Sequence, residues 1–262
     1  MNPRPVAAPR MARTFRYLYR TPWLLAHLLL GLPLVLLAML PPWRNWQVGS
    51  RPLEHQLVRL WSAGLLRVFG LRVRALGSPL PGGVLLVANH VSWMDIQMIH
   101  SQHMVGFVAK AEIAGWPLVG WLAARGQTIF HQRGDTQSLG GVMDEMSARL
   151  RQQRPVAVFP EGRTRNGHEV GPFHARIFTC AVEAGVPVQP VAIRYGEQGR
   201  AQSVVAFGER EGFVPNFLRL LGEPARRAEV HFLEPIAPGQ LEGRRQIAEL
   251  ARQRVVQAMA AA

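Results

Sequence analysis

The chain has 262 residues, 48% of them hydrophobic and 18% charged, so it can bury the core of one ordinary-sized domain and is not expected to be disordered. Its 30 Lys and Arg exceed its 17 Asp and Glu, and the formal net charge of +13 suggests an anionic partner such as a membrane face, a phosphorylated substrate or nucleic acid, unless the arginines are only a solvated surface. The single cysteine, Cys180, excludes an intramolecular disulfide and any zinc site built on two or more cysteines.

A long, uncharged and apolar run lies near the N-terminus. No charged residue occurs from Thr21 to Trp43, and a helix rising about 1.5 Å per residue over this run would cross a bilayer core about 30 Å thick. Aromatic side chains mark its edges, as is typical near lipid headgroups, and the arginines before it favour a cytoplasmic N-terminus. These aromatic residues are Tyr17, Tyr19, Trp23, Trp43 and Trp46, and the arginines are Arg4, Arg10, Arg13, Arg16 and Arg20.

Two other interpretations of this run stay open. A basic leader before an apolar run also fits a cleaved signal peptide, although this run is long for one and Leu40-Pro-Pro-Trp43 has no small-x-small cleavage site. Pro33 would kink a helix and release a backbone carbonyl, so a re-entrant anchor is the alternative to a span. In the spanning and the re-entrant form alike, the segment holds the chain at a membrane.

A second helix is predicted from Leu53 to Phe69. Apolar residues recur there at three- and four-residue steps, and Gly70 supplies a helix end. We therefore divide the chain into a basic N-terminal tail (1–20), membrane-anchoring helices (21–70) and an α/β domain (71–262).

Beyond the anchor, short continuous apolar runs alternate with helical stretches. Such runs suit strands that are buried on both faces of a sheet. The predicted strands are Val84–Ala88, Met104–Val108, Val156–Phe159, Val188–Ile193, Val204–Phe207 and Val230–Leu233, and the predicted helices are Asp95–His100, Pro117–Ala124, Thr136–Gln153, Phe173–Ala184 and Leu241–Ala260. The alternation indicates an α/β fold with a mixed, mostly parallel sheet flanked by helices, preceded by an N-terminal two-helix membrane-associating segment.

The first candidate site follows the strand that ends at Ala88. Polar groups converge on ligands at the carboxyl ends of strands in α/β folds, and His90 and Asp95 lie across a strand-to-helix turn there. A carboxylate that reaches back to one imidazole nitrogen would leave the other nitrogen as a general base. The alternative is structural, because Ser92-x-x-Asp95 also fits a capping box. No Gly-x-Ser-x-Gly elbow occurs, so an activated hydroxyl would belong to the substrate.

Two further clusters contain arginine. Glu161-Gly162-Arg163-Thr164-Arg165 follows a buried strand, and its guanidinium groups and hydroxyl suit an anion cradle, with Glu161 orienting the arginines or binding a substrate hydroxyl. Arg133 follows the strand-like Ile129-Phe130. The first cluster is equally compatible with a charged surface turn, and Arg133 with a structural role.

Together these residues resemble the glycerolipid acyltransferase family, which includes 1-acylglycerol-3-phosphate and lysophospholipid acyltransferases of the His-x4-Asp type. The resemblance rests on Asn89-His90-x4-Asp95, on Arg133, on Phe159-Pro-Glu-Gly162 and on Val186-Pro-Val-Gln-Pro-Val-Ala-Ile193, which occur in the family's order. It implies a membrane enzyme that moves an acyl group from acyl-CoA or acyl carrier protein to a lysolipid hydroxyl. No cofactor is expected beyond the acyl donor, and no metal is expected, because no third ligand lies at a supporting spacing from His90 and Asp95.

The resemblance also implies residue roles. His90 would be the general base and Asp95 its orienter. The residues that bind the substrate would be Arg133, Glu161, Gly162, Arg163 and Arg165.

The chain departs from the family pattern around the acceptor site. Glu161-Gly-Arg-Thr164 exchanges the hydroxyl and the guanidinium of the usual Glu-Gly-Thr-Arg, and Gly126 lies slightly early in the second block. The stretch Gly171–Ile177 is similar to a subgroup that includes lyso-ornithine lipid acyltransferases. There His174 and Arg176 would either contact the acceptor or pack at a helix start.

We therefore predict a membrane-associated O-acyltransferase that converts 1-acylglycerol-3-phosphate to phosphatidic acid, with lyso-ornithine lipid as the alternative acceptor. Its expected partners are membrane lipids, the lysolipid and the acyl donor, at the cytoplasmic face of the inner membrane. A non-enzymatic basic lipid-binding protein is the rival, but it gives no reason for His90, Asp95 and Glu161 at strand ends. Nucleic acid is not expected, because the arginines are scattered and form no aromatic–basic strip.

Overall fold

One long helix covers residues 10–38. The computed structural model describes residues 10–43, 46–49, 51–116, 119–132 and 136–261. Helix α1 (Arg10–Ala26), a π-helical turn (His27–Gly31) and α2 (Leu32–Ala38) run on without interruption. The helix begins at Arg10, inside the segment that the sequence suggested to be a basic tail. Pro33 does not end it, and the wider π turn lies directly before this proline, where a backbone donor is missing.

This helix has two unlike sides. One side packs on the rest of the chain through Arg20, Leu24, Leu32, Val35 and Ala38, all of which are buried. The other side exposes large apolar residues along its whole length: Met11, Phe15, Leu18, Trp23, Leu25, Leu29, Leu30, Leu34 and Leu37. By length and composition the 29 residues Arg10–Ala38 are able to cross a membrane. We expect the outward apolar side of the helix to face an apolar environment.

The second predicted helix packs against the first. A two-stranded hairpin of β1 (Gln47–Val48) and β2 (Arg51–Pro52) leads into α3 (Leu53–Val68). The two helices approach closely, because a Cβ on Gly64 would lie only 2.6 Å from the His27 ring. The two-helix N-terminal segment that the sequence predicted is therefore present as a packed pair.

A seven-stranded sheet forms the centre of the α/β domain, in the order β3-β9-β8-β4-β7-β5-β6. Strands β8, β4, β7, β5 and β6 are mutually parallel, whereas β9 pairs antiparallel with β8 and parallel with β3. The predicted mixed, mostly parallel sheet is thereby confirmed. The strands are β3 (Leu71–Leu76), β4 (Leu85–Ala88), β5 (Gly106–Lys110), β6 (Ile129–His131), β7 (Val156–Val158), β8 (Val188–Tyr195) and β9 (Arg226–Phe232).

Helices cover both faces of the sheet. Leu86 of the central strand β4 packs into the core on the side of α3 and α4, whereas its neighbours Leu85 and Val87 pack into a second core beneath α6 and α10. Burial on both faces explains why β4 has no alternation of apolar and polar residues. The helices are α4 (Met94–His100), α5 (Val119–Arg125), α6 (Thr136–Arg151), α7 (Thr179–Ala184), α8 (Gln202–Val205), α9 (Phe213–Leu221) and α10 (Gly243–Ala260), with 3₁₀ turns at Ala111–Gly115, Ala175–Phe178 and Glu197–Gly199.

The structure differs from the sequence prediction in several elements. The predicted strand Val204–Phe207 is wrong, since α8 begins at Gln202 and ends at Val205; a short apolar run does not separate strand from helix by pattern. Strand β3 was not predicted, because Arg72 and Arg74 interrupt its apolar character at the edge of the sheet. Helix α9 was not predicted either.

Candidate active site

The turn after β4 brings His90 and Asp95 into contact. His90 Nδ1 lies 2.8 Å from Asp95 Oδ2. The same oxygen accepts the backbone N–H groups of Val91 at 2.7 Å and Ser92 at 2.9 Å. Asp95 lies in the first turn of α4 and has no exposed surface. The predicted contact from carboxylate to imidazole is present, and the turn backbone holds the carboxylate in place.

A residue that the sequence did not single out completes the surroundings of Asp95. The Tyr195 hydroxyl, at the end of β8, donates to Asp95 Oδ1 at 2.5 Å. Burial first, and then the neighbouring Asp95, raise the pKa of Tyr195 well above its ordinary value, so the hydroxyl stays protonated. Asn89 exchanges two hydrogen bonds with Ile193, at 3.0 and 2.8 Å, which fixes the end of β8 beside the turn.

These contacts assign the protons of the pair. Val91, Ser92 and Tyr195 all give hydrogen bonds to Asp95, so the carboxylate acts as an acceptor only. The network therefore assigns the imidazole proton to Nδ1 of His90 and leaves a lone pair on Nε2.

The His90 ring is held flat against an aromatic side chain. Its centroid lies 3.9 Å from that of Phe159, with an angle of 12° between the planes. Phe159 stacks in turn on Phe107, with centroids 5.7 Å apart. No described residue forms a hydrogen bond with Nε2 of His90, and 17% of the side chain is exposed. The stacking and the contact with Asp95 therefore fix the orientation of the ring, and Nε2 has no partner among the described residues.

The loop after β7 is tied to the same turn. Glu161 is buried, and it accepts the backbone N–H of His90 at Oε1 and that of Gly171 at Oε2, both at 2.8 Å. The N–H of Arg165 donates to the His90 carbonyl at 2.8 Å, and Arg165 Nε lies 3.2 Å from Glu161 Oε2. Burial raises the pKa of Glu161, while the two N–H groups and Arg165 counteract this shift. The contacts of Glu161 are internal, and its acceptor-binding role stays a prediction.

The predicted arginines lie in different surroundings. The Arg165 guanidinium packs so closely on Gly171 that a Cβ there would lie 2.3 Å from it. Arg163, by contrast, is exposed and has no hydrogen bond or ion pair with any described residue. Beside it, Gly162 has φ +72° and lies next to the exposed His174 ring. Arg133 lies outside the described residues.

Comparisons with known proteins show what the chain is similar to. A family model described as Acyltransferase matches residues 72–194. A lyso-ornithine lipid O-acyltransferase of Pseudomonas aeruginosa is 37% identical over 94% of this chain and 93% of its own length, and one of Rhizobium meliloti is 33% identical over 76% and 73%. A 1-acyl-sn-glycerol-3-phosphate acyltransferase of Neisseria gonorrhoeae is 36% identical over 49% of this chain and 51% of its own length.

The fold also has a solved counterpart. The crystal structure of the 1-acyl-sn-glycerophosphate acyltransferase of Thermotoga maritima matches with a TM-score of 0.68 and 20% identity, over 96% of this chain and 99% of that one. At this identity the likeness concerns the fold. The relatives alignable over nearly the full length, together with the family model, show that the chain belongs to the acyltransferase family that acylates lysolipids.

Proposed function

We propose that the protein transfers an acyl chain from acyl-CoA or acyl carrier protein to the hydroxyl of lyso-ornithine lipid. One observation carries the reaction: Asp95 binds His90 through Nδ1, and no residue in the described part of the chain forms a hydrogen bond with Nε2. This is the arrangement that a general base needs, and it lies at the edge of the sheet where parallel strands end.

The proposed chemistry needs no acyl-enzyme. Nε2 of His90 takes the proton from the lysolipid hydroxyl as its oxygen attacks the thioester carbonyl. The resulting imidazolium lies 2.8 Å from Asp95 Oδ2, and the buried carboxylate stabilises its charge. Collapse of the tetrahedral intermediate expels the thiolate, to which the imidazolium returns the proton. The N–H groups of Val91 and Ser92 bind Asp95, so they are not available to stabilise the oxyanion.

The extent of the relatives' alignments supports lyso-ornithine lipid as the acceptor. Relatives with that name align over 94% and 76% of the chain, whereas the 1-acyl-sn-glycerol-3-phosphate acyltransferase aligns over 49%. Ornithine brings a carboxylate and an ammonium group to the headgroup, and the exposed guanidinium of Arg163 suits the carboxylate. Because a guanidinium binds phosphate equally well, 1-acylglycerol-3-phosphate is the second candidate acceptor.

We also propose that the enzyme works at the cytoplasmic face of the inner membrane. The outward apolar side of Arg10–Ala38 supports membrane attachment. Since the opposite side packs on α3 and α9 along most of its length, a helix lying in the membrane surface suits the fold better than an isolated span. The cytoplasmic face follows from the donor, because acyl-CoA and acyl carrier protein are made in the cytoplasm.

An acceptor-by-donor panel tests the proposal. The purified protein in vesicles would be given lyso-ornithine lipid, 1-acylglycerol-3-phosphate and lysophosphatidylethanolamine, each with acyl-CoA and with acyl carrier protein. We expect the highest kcat/KM with lyso-ornithine lipid and no product from His90→Ala, which should still bind the vesicles. A higher kcat/KM with 1-acylglycerol-3-phosphate would reject the acceptor, and full activity of His90→Ala would reject the mechanism.

A further inference from the structure

A cavity of about 480 Å³ lies between the N-terminal helix and the edge strand β3. Arg20 of α1, Arg67 in the last turn of α3 and Arg72 of β3 all line it. None of the described residues that line the cavity is acidic. Its volume is in the range of pockets that bind small ligands. Three guanidinium groups around one cavity indicate an anionic ligand.

Two of these arginines have no partner in the described part of the chain. Arg67 and Arg72 are exposed, and neither forms a hydrogen bond or an ion pair with any residue that the structure describes. Glu223, two positions before the lining residue Ala225, is already paired, because Arg226 Nη2 lies 2.9 Å from its carboxylate. The guanidinium groups of Arg67 and Arg72 are therefore available to bind an anion in the cavity.

The third arginine is buried and firmly held. Arg20 is only 2% exposed. Its Nη1 donates to the carbonyls of Leu221 at 2.9 Å and Glu223 at 2.7 Å, and its Nε donates to the Tyr19 hydroxyl at 3.2 Å. Nη2 forms no hydrogen bond with any described residue and lies against Gly70, which also lines the cavity. Because a buried donor without an acceptor is costly, we expect Nη2 to bind an acceptor inside the cavity.

The backbone next to the cavity makes room for this guanidinium. Gly70 follows α3 with φ +80°, and a Cβ at this position would lie 2.3 Å from Arg20 Nη2. A side chain there would be strained and would displace the arginine. The glycine that the sequence identified as a helix end thus also allows Arg20 to reach the cavity.

The cavity borders the outward apolar side of the N-terminal helix. Tyr19, which lines the cavity, is 43% exposed, and its ring contacts that of Phe15 with centroids 5.5 Å apart. Phe15 belongs to the outward apolar side and is 66% exposed, and Trp23, one turn after Tyr19, is 69% exposed. An anion in the cavity therefore has exposed apolar side chains beside it. This combination matches a lipid, in which the charged headgroup is joined to apolar chains.

The cavity and the catalytic turn lie at the same edge of the sheet. Leu71 at the start of β3 pairs with Arg226 at the start of β9, and Ala228 of β9 pairs with Tyr195 at the end of β8. In the order β3-β9-β8-β4 the first and the last strand are roughly 14 Å apart, at about 4.8 Å per strand. Arg163, the proposed contact of the acceptor, follows β7 on the other side of β4. The cavity is therefore separate from the proposed acceptor site.

We propose that this arginine pocket, formed by Arg20, Arg67 and Arg72, binds the phosphate of an anionic membrane phospholipid whose acyl chains lie against the outward apolar side of the N-terminal helix. The proposal rests on the membrane attachment in the proposed function and adds a headgroup site to it. A bound headgroup would fix the height of this sheet edge, and so of the catalytic turn, above the lipid. The phosphates of acyl-CoA are the competing occupant, and the test separates the two.

Vesicle flotation of the full chain tests the proposal. The pocket variant is Arg67→Gln/Arg72→Gln, and the control is Arg74→Gln/Arg245→Gln. The control arginines are exposed, have no partner among the described residues and do not line the cavity, so the same charge is removed elsewhere. Both variants and the wild type would be mixed with phosphatidylcholine vesicles that contain either no phosphatidylglycerol or about 20 mol%, at about 0.15 M salt.

Phosphatidylglycerol should strengthen the binding of the wild type. The pocket variant should lose this enhancement roughly tenfold, and the control by less than about twofold. An equal loss in both variants would assign the effect to surface charge in general and reject the pocket. A wild type that floats equally well with and without phosphatidylglycerol overturns the pocket and leaves membrane attachment standing. A wild type that floats with neither vesicle overturns both.

Donor kinetics give a second measurement. The KM for acyl-CoA would be determined in neutral detergent micelles, with the lysolipid that is the most active acceptor. We expect the same KM for the wild type, the pocket variant and the control, because the pocket binds a lipid and not the donor. A KM that rises in the pocket variant alone would assign the arginines to the phosphates of CoA and reject a lipid as the occupant. Since flotation needs no turnover, failure of the acceptor proposal leaves the flotation test intact.

Discussion

The turn after β4 and the loop after β7 occupy similar positions in the fold but make different contacts. Each follows a buried parallel strand, and each carries a buried carboxylate that accepts backbone N–H groups, Asp95 in the turn and Glu161 in the loop. Asp95 also binds the His90 imidazole, whose second nitrogen has no hydrogen bond with any residue that the structure describes. Glu161 also binds the Arg165 side chain and the backbone of His90 itself.

The difference shows that a carboxylate at a strand end is not by itself a functional group. Asp95 fixes the orientation of the His90 side chain, which is partly exposed. Glu161 instead uses its oxygens to hold the loop and the turn together. On the β7 loop the guanidinium of Arg163 is exposed and has no hydrogen bond or ion pair with any described residue. We therefore propose that the turn carries out the chemistry and that the loop positions the turn and contacts the acceptor.

The largest effect is expected from Asp95→Asn. An amide supplies one acceptor oxygen where the carboxylate supplies two, and its NH₂ group faces donors, so the His90 tautomer is lost. We expect kcat to fall by about 10³ to 10⁴, a size typical of losing an oriented general base. Initial rates corrected for the folded fraction measure this. Asp144→Asn, on the exposed face of α6, is the control. A decrease in kcat of less than tenfold would show that the chemistry depends on other residues.

Glu161→Gln makes the same chemical change in the loop. One of the N–H groups of His90 and Gly171 then faces an NH₂ group, which costs about 1–3 kcal/mol of unfolding free energy. Activity should fall roughly tenfold to a hundredfold, together with Tm, because the two segments loosen. Exposed Glu234→Gln serves as the control in thermal unfolding and rate measurements. A thousandfold loss with an unchanged Tm would give Glu161 a direct chemical role.

Tyr195→Phe removes one donor from Asp95 and keeps the volume of the ring. Oδ1 of Asp95 then has lost its donor and the His90–Asp95 pair is misaligned, so kcat should fall about tenfold. KM should not change, because the contacts with the acceptor persist. Tyr17→Phe, which loses a hydrogen bond far from Asp95, is the matched control for steady-state kinetics. Equal kcat values for the two variants would show that the hydroxyl only supports the fold.

Arg163→Ala should have the smallest effect. Its side chain has no partner among the described residues, so Tm and kcat should not change, while KM for lyso-ornithine lipid, whose carboxylate it is proposed to bind, rises roughly fivefold. Arg200→Ala removes another exposed guanidinium and should leave KM as it is. The assay compares lyso-ornithine lipid with an uncharged monoacylglycerol acceptor, and an equal rise in KM for both would exclude a charge contact.

The sequence predicted the features that depend on residues close together in the chain. Strand β4 and the contact of His90 with Asp95 were predictable, because burial on both faces leaves a continuous apolar run and a strand-to-helix turn brings the two residues together. The apolar run near the N-terminus was also evident, because its uncharged residues are consecutive in the chain. In contrast, Val204–Phe207 was mistaken for a strand, since a run of four apolar residues is compatible with either structure.

Tertiary structure alone decided the partners that come from distant parts of the chain. Tyr195 reaches Asp95 across 100 positions, and only the pairing of β8 with β4 brings its hydroxyl there. The sequence placed Arg20 in the basic flank of the apolar run, yet it binds carbonyls at the end of α9, 201 and 203 positions away. Local pattern determines which segments are strands, helices or turns, because those depend on contacts within a few residues. The donor that satisfies a buried carboxylate, and the carbonyl that binds a buried arginine, depend on how those segments pack.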